Sequence, residues 1–194
     1  SLSEVKTEIK AGAKENCAEN NQHLKRWCAL PIPYPEPKVL GRNLYYAELL
    51  LEDYAGRVSE FTAINQYLYH NFVFAGKYKD LAELEECIAI IEMFHLELLA
   101  ETIILLGANP RYYSLVDNQR VYWNASYVYY GNAVCDRLAA DIAAEEQAIA
   151  SYRKHQQLIK DPHIVNLLER IIQDEQHHLN LFTQAMRKYC PRHC

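Results

Sequence analysis

Two stretches of this chain restrict its fold more than any other feature. IIEMFHLELL begins at Ile90 and IIQDEQHHLNL at Ile171, and each sets a glutamate three residues ahead of a histidine, Glu92 to His95 and Glu175 to His178. Both runs otherwise read as helix core. Residues three apart on a helix share one face about a turn apart. Ile88, Ile91, Glu92, His95, Leu98 and Leu99 form one stripe, and Leu168, Ile171, Glu175, His178, Leu179 and Phe182 form another. A charge and an imidazole thus point where a helical bundle wants leucine.

The pattern is doubled by an internal repeat. SEFTAINQYLYH (59–70) aligns with AEEQAIASYRKH (144–155), placing Glu60 on Glu145, Tyr67 on Tyr152 and His70 on His155. Each half is therefore a helix with an inward glutamate followed, about thirty residues later, by a helix with Glu-x-x-His. Taken singly, a glutamate on such a stripe reads as a boundary residue reaching outward. Six polar groups on repeated apolar stripes call for a different account. Four buried carboxylates, roughly −4 in charge, would cost several kcal/mol each or take up protons. Two divalent ions bring the sum near neutral, and nitrogen and carboxylate ligands suit iron or manganese. Glu60, Glu92, His95, Glu145, Glu175 and His178 are the expected metal ligands and catalytic residues.

The rest of the chain reads as helices separated by breakers. A helical pattern covers about residues 42–76, and a second runs from about 80 to 106, where GANP stops it. Residues 108–131 are aromatic and carry no helical stripe, and a connection this long lets the chain cross from one end of a bundle to the other. Third and fourth helices span about 132–159 and 162–189, with Pro162 suited to a first turn. Short loop, long crossover, short loop is four-helix-bundle connectivity. The expected architecture is all-α, with an N-terminal arm over 1–41, a bundle over 42–189 and a tail over 190–194. The arm includes a possible short helix within 1–30, then ALPIPYPEPKVLG, whose four prolines favour an extended, packed-down segment.

The arrangement resembles the ferritin-like di-iron and di-manganese carboxylate proteins, in which two helices each give a glutamate and the other two each give Glu-x-x-His. The resemblance covers about residues 42–189. It implies that Glu92 and Glu175 bridge a pair of iron or manganese ions, and that Glu60 and Glu145 each bind one ion terminally. Within that superfamily rubrerythrins, bacterioferritins, manganese catalases and their spore-coat relatives look nearest. The extra glutamate of rubrerythrin-type sites would fall at Ala148, and no paired CxxC motifs follow the bundle. The proline-rich arm and aromatic crossover are similar to those of manganese catalases.

Around the expected ligands, Tyr67 and Tyr152 sit two turns from Glu60 and Glu145, placed to bond a ligand carboxylate, to donate electrons, or simply to fill the core. Asp141 and Asp53 lie where they could orient a histidine. Glu146 and His177 fall one step off the stripe, and His70 and His155 read as off the inner face. Cys87 and Cys135 read as small core residues, while Cys190 and Cys194 in the terminal CPRHC could bind metal, pair, or do nothing. The formal charge of −5 and the lack of a Lys/Arg stripe argue against nucleic acid or a membrane surface as partner. No run reaches the roughly 18 apolar residues of a span, and the polar N-terminus has no signal-peptide core, so a cytoplasmic protein is expected.

The leading expectation is a redox enzyme reducing or disproportionating peroxide, with peroxide or dioxygen as small-molecule oxidant and the electron donor unspecified. Alternatives are iron binding and storage, hydroxylation of an organic substrate such as a modified tRNA base, and a metal-stabilised structural or coat protein. The arm and the Tyr-rich crossover suit packing against a second copy, so a homo-oligomer, at least a dimer, is expected.

Overall fold

The structure, a computed structural model, describes residues 27–191; most of the segment expected to hold a short helix, together with Cys17 and Cys194, lies outside them. Helices α1 (Leu44–Ala55), α2 (Glu60–Phe74) and α3 (Lys79–Leu106) come first. A hairpin of β1 (Tyr113–Val116) and β2 (Gln119–Tyr122) and a 3-10 turn at Ala125–Tyr127 follow, then α4 (Val134–Leu158) and α5 (Pro162–Tyr189). Helices α2 to α5 form the bundle. The α2–α3 and α4–α5 hairpins are its two halves, joined where α2 meets α4 and α3 meets α5, while α1 packs on α3 and β1.

The single helix expected over 42–76 is two. Gly56 ends α1 by donating its N–H to Glu52 O at 2.9 Å, and a Cβ there would sit 2.5 Å from that same carbonyl. Ser59 then caps α2, accepting from Thr62 N at 3.2 Å and donating to Gly56 O at 2.8 Å. The break puts Glu60 in the first turn of α2, where the partial positive charge of a helix N-terminus favours a carboxylate.

The other boundaries follow the expected breakers. Helix α3 closes on Gly107 at φ 98°, the left-handed cap that glycine adopts without strain. Helix α5 opens on Pro162 behind Asp161, whose carboxylate accepts from His163 N at 3.0 Å and from Leu40 N at 2.6 Å. The aromatic crossover is more ordered than its lack of helical pattern suggests. Asp117 and Asn118, at φ 51° and 61°, make a tight two-residue turn that pairs Val116 with Gln119 and Tyr113 with Tyr122. Phe61 stacks on Tyr112 at 4.2 Å and Trp123 donates to Thr62 Oγ1 at 3.0 Å, so the crossover is laid onto α2.

Residues 29–41, the proline-rich stretch, hold no helix or strand and lie partly against α5. Arg170 reaches from α5 to the carbonyls of Ile32 (3.0 Å) and Leu30 (3.1 Å), and its guanidinium lies 4.2 Å from the Tyr34 ring centre. The cysteine reading holds for Cys87, which is buried in the core though bonded to Cys28, and is corrected for Cys135, which is exposed and bonded to Cys190. Cys190 is therefore engaged on α4 rather than with Cys194. Spacing along the chain hid both pairs, whose partners are 59 and 55 residues apart. No helix among the described residues is long and apolar enough to cross a membrane.

The apolar core comes in two clusters. One gathers Leu50, Leu99, Ile103, Tyr152, Leu168 and Ile171 with their neighbours. The other gathers Tyr67, Phe74, Ile88, Leu138 and Phe182 with theirs. On α3, α4 and α5 the residues Glu92, His95, Glu145, Glu175 and His178 fall between these two clusters, and Glu60 opens α2 beside them, so a polar layer divides the core.

Candidate metal centre

The bundle brings all six expected side chains into that layer, one from α2, two from α3, one from α4 and two from α5, each at most 4 % exposed. They form two overlapping groups, Glu60–Glu92–His95–Glu175 and Glu92–Glu145–Glu175–His178, with one ligand-type atom per residue within 4.8 Å of the others. Glu92 and Glu175 belong to both groups. Glu92 faces His95 Nδ1 through Oε2 (2.8 Å) and His178 Nδ1 through Oε1 (3.0 Å). Glu175 does the converse, with Oε1 at 2.9 Å from His95 Nδ1 and Oε2 at 3.4 Å from His178 Nδ1. Glu60 and Glu145 each lie near one histidine, 3.7 Å from His95 and 3.9 Å from His178. Glu92 and Glu175 thus each approach both histidines, and Glu60 and Glu145 each approach one.

Each imidazole turns Nδ1 inward and Nε2 outward to an acceptor, which orients a ligating ring and fixes its tautomer. His95 Nε2 lies 3.2 Å from Asp174 Oδ2, and His178 Nε2 lies 2.9 Å from the carbonyl of Cys28. Asp174 also accepts from Leu30 N at 2.9 Å, from the Tyr34 hydroxyl, and from Arg170 at 2.8 Å. Burial alone would raise its pKa, but the bonds from His95, Arg170 and Tyr34 outweigh burial and hold it below the usual carboxylate range. The two tyrosines cross between halves. Tyr67 on α2 donates to Glu145 Oε1 on α4 at 2.5 Å, and Tyr152 on α4 donates to Glu60 on α2.

The electrostatics of the layer demand positive charge. Burial, then the charges of Glu92 and Glu175, push the Glu60 and Glu145 carboxyls well above their usual range. Burial also opposes charge on the remaining four groups, but contacts between carboxylate and imidazole win. Glu92 and Glu175 fall below the usual range, His95 rises well above its own, and His178 is pushed up to about 10. Glu92 Oε1 and Glu175 Oε1 are buried with an imidazole Nδ1 beside each, at 3.0 Å and 2.9 Å. Buried carboxylate oxygens converging with two inward imidazole nitrogens are a donor set that suits an oxygen- and nitrogen-preferring divalent ion. The residues fit a pair of such ions.

A cavity of about 240 Å³ reaches this layer between α2 and α4. Its wall includes Glu60, Glu145 and Glu175, polar Gln66 and Arg57, and small Ala148.

Other expected residues fall elsewhere. Asp141 does not touch the six; it holds His70, with Nδ1 3.0 Å from Oδ2, and takes a bond from Gln66 at 2.8 Å. Asp53 likewise holds His155 at 2.6 Å. His70 and His155 were expected off the inner face, yet both are fully buried. The wheel places them at the edge of the stripe, and the crossover and α1 cover that edge. Glu146 is exposed, and His177 is half-buried and 2.8 Å from Trp27 O. Asp174 was missed, although its place directly before Glu175 and four residues after Arg170 was a readable sign.

A family model described as the ferritin-like domain matches residues 57–189. A probable manganese catalase of Clostridium acetobutylicum is 29% identical over 169 residues, covering 78% of this chain and 74% of its own. A bacterioferritin of Streptomyces coelicolor is 32% identical over 126 residues, covering 63% of this chain and 70% of its own. The crystal structure of KatB, a manganese catalase from Anabaena, superposes with a TM-score of 0.74 at 25% identity, covering 85% of this chain and 83% of that one. The chain belongs to the ferritin-like family and has the ferritin-like bundle fold.

Proposed function

We propose that this ferritin-like protein is a dimetal-carboxylate redox enzyme that disproportionates or reduces peroxide. Glu60, Glu92, His95 and Glu175 would hold one iron or manganese ion, and Glu92, Glu145, Glu175 and His178 the other. Two such ions side by side supply a two-electron couple. The chain's own part is positioning. Tyr67 and Tyr152 hold the terminal carboxylates through phenols that burial, then nearby carboxylates, keep protonated far above their usual pKa. Asp174 and the Cys28 carbonyl hold the imidazoles, and the two apolar clusters exclude water on either side.

The observation that carries the choice of substrate is the cavity. At about 240 Å³ it is smaller than the roughly 300–1,000 Å³ pockets that enclose drug-sized ligands, and its walls are mixed rather than apolar. That favours a small oxidant over hydroxylation of a nucleoside or another bulky substrate. The two manganese catalase relatives point the same way. The bacterioferritin relative supports a second reading, iron oxidation and storage.

Manganese-loaded and iron-loaded protein should evolve oxygen from peroxide, or consume peroxide with an added reductant, and Glu92→Ala should abolish this. Full metal loading without peroxide turnover sinks the enzyme reading. A shell-sized particle by light scattering then favours storage, and a small oligomer that survives metal removal favours a structural role. On location, the two disulfides favour an oxidising setting over the cytoplasm expected from composition, since disulfides are rare where thiols are kept reduced.

A further inference from the structure

A second buried polar cluster lies outside the six-residue centre. His70 on α2, Glu85 on α3 and Asp141 on α4 are each 0 % exposed, and one ligand-type atom from each lies within 4.8 Å of the others. The repeat supplies an internal control. Glu85 precedes Glu92 by two helical turns, and the residue at the same distance before Glu175 is Leu168, also 0 % exposed. Leucine satisfies the packing at this level in one half, and the other half carries a carboxylate there.

That carboxylate is not paired. Neither Glu85 oxygen has a hydrogen-bond partner, and His70 Nδ1 is 3.9 Å from Oε1. Burial, then the charge of Asp141, holds its pKa well above the usual range, and the charge of Arg137 offsets this only in part. His70 has the posture of the two histidines in the main centre. Its Nε2 lies 3.0 Å from the Tyr129 carbonyl and its Nδ1 lies 2.9–3.0 Å from the Asp141 carboxylate, so the ring is held at both nitrogens. Asp141 is held in place by Gln66, whose own oxygen takes the Tyr129 N–H at 3.1 Å. One imidazole nitrogen and two carboxyl groups therefore converge. Gln66 also lines the cavity beside Glu60 and Glu145, so the cluster is one side chain away from that space.

We propose that His70, Glu85 and Asp141 form a third cation site for a divalent ion such as Mn²⁺, Fe²⁺ or Zn²⁺. One imidazole and two carboxylates suit such ions, and a divalent charge neutralises the pair. The competing occupant is a proton shared between Glu85 and Asp141. The site does not rest on the reading of the six-residue centre.

The test is equilibrium dialysis of the chelator-stripped full chain against Mn²⁺ with elemental analysis, joined to a manganese anomalous map of wild-type crystals. The wild type should hold three ions per chain, and Glu85→Leu and Glu85→Gln two, with an anomalous peak at bonding distance from His70 Nδ1. Should Glu85→Leu fail to fold, the isosteric Glu85→Gln and the wild-type map decide. A wild-type count unchanged in both variants, with no peak at His70, overturns the proposal and leaves the six-residue centre standing. A peak at His70 with none between Glu92 and Glu175 upholds it while removing the main centre.

Discussion

The α2–α3 and α4–α5 halves carry the same three polar positions, yet they support them differently. Asp174, which steadies His95, matches Ile91 in the repeat. His178 Nε2 therefore meets no side-chain acceptor from α3, and the backbone of the arm, at Cys28 O, takes that place. The positions that face the middle of the polar layer are held alike by the demands of charge and geometry. Those one shell out need only offer an acceptor, and the halves meet that need by different means. Residues 28–34 serve both histidines, directly at His178 and through Asp174, Leu30 and Tyr34 at His95.

This contrast can be pressed experimentally, beginning with the shared core. Glu92→Ala and Glu175→Ala should each abolish retention of both ions and peroxide turnover, measured by elemental analysis and oxygen evolution. If either variant kept one ion fully bound, the central carboxylates would not be equivalent. Next comes competition with protons. Glu60, Glu145, His95 and His178 all have raised pKa values, with His178 pushed up to about 10, so each favours its protonated form more than a free side chain does. Cations must displace these protons, so affinity should fall as pH drops, about tenfold per unit for each proton displaced. Calorimetry in buffers of different ionisation enthalpy would count them, and release on binding only one of the two ions would break the likeness of the halves.

Asp174→Asn tests the unlike periphery. It should weaken the ion beside His95 about 10- to 100-fold and leave the ion beside His178 within a few-fold. A metal titration that stays single-step and merely shifts would show the support to be common to both. The smallest effect belongs to the crossed tyrosines. Tyr67→Phe and Tyr152→Phe should each cost about 1–3 kcal/mol in denaturant unfolding, because a buried carboxylate loses its donor. A marked difference between them would extend the asymmetry inward.

Much of this architecture was readable from residue order. Helices α3 and α5 lie where periodicity, GANP and Pro162 put them, because a long apolar stripe and a breaker are both local signals. The six central side chains were readable for the same reason, with the repeat raising each weak sign to a joint one. What escaped depended on contacts distant in sequence. Gly56 and Ser59 sit inside a pattern whose apolar steps continue across the break, so one helix was expected where a close carbonyl contact and a cap make two. The burial of His70 and His155 depends on coverage by the crossover and α1, and the partners of Cys87 and Cys135 lie more than fifty residues away. Glu85 lay on a legible stripe, but its significance emerges only beside Leu168.

The swapping of Tyr67 and Tyr152 between halves bears on how the molecule is assembled. Either hairpin docked alone would present a terminal carboxylate whose phenol is still on the absent partner. Tight capture of ions would then come last, after the two hairpins have closed on each other. A loaded protein would thereby certify its own maturation.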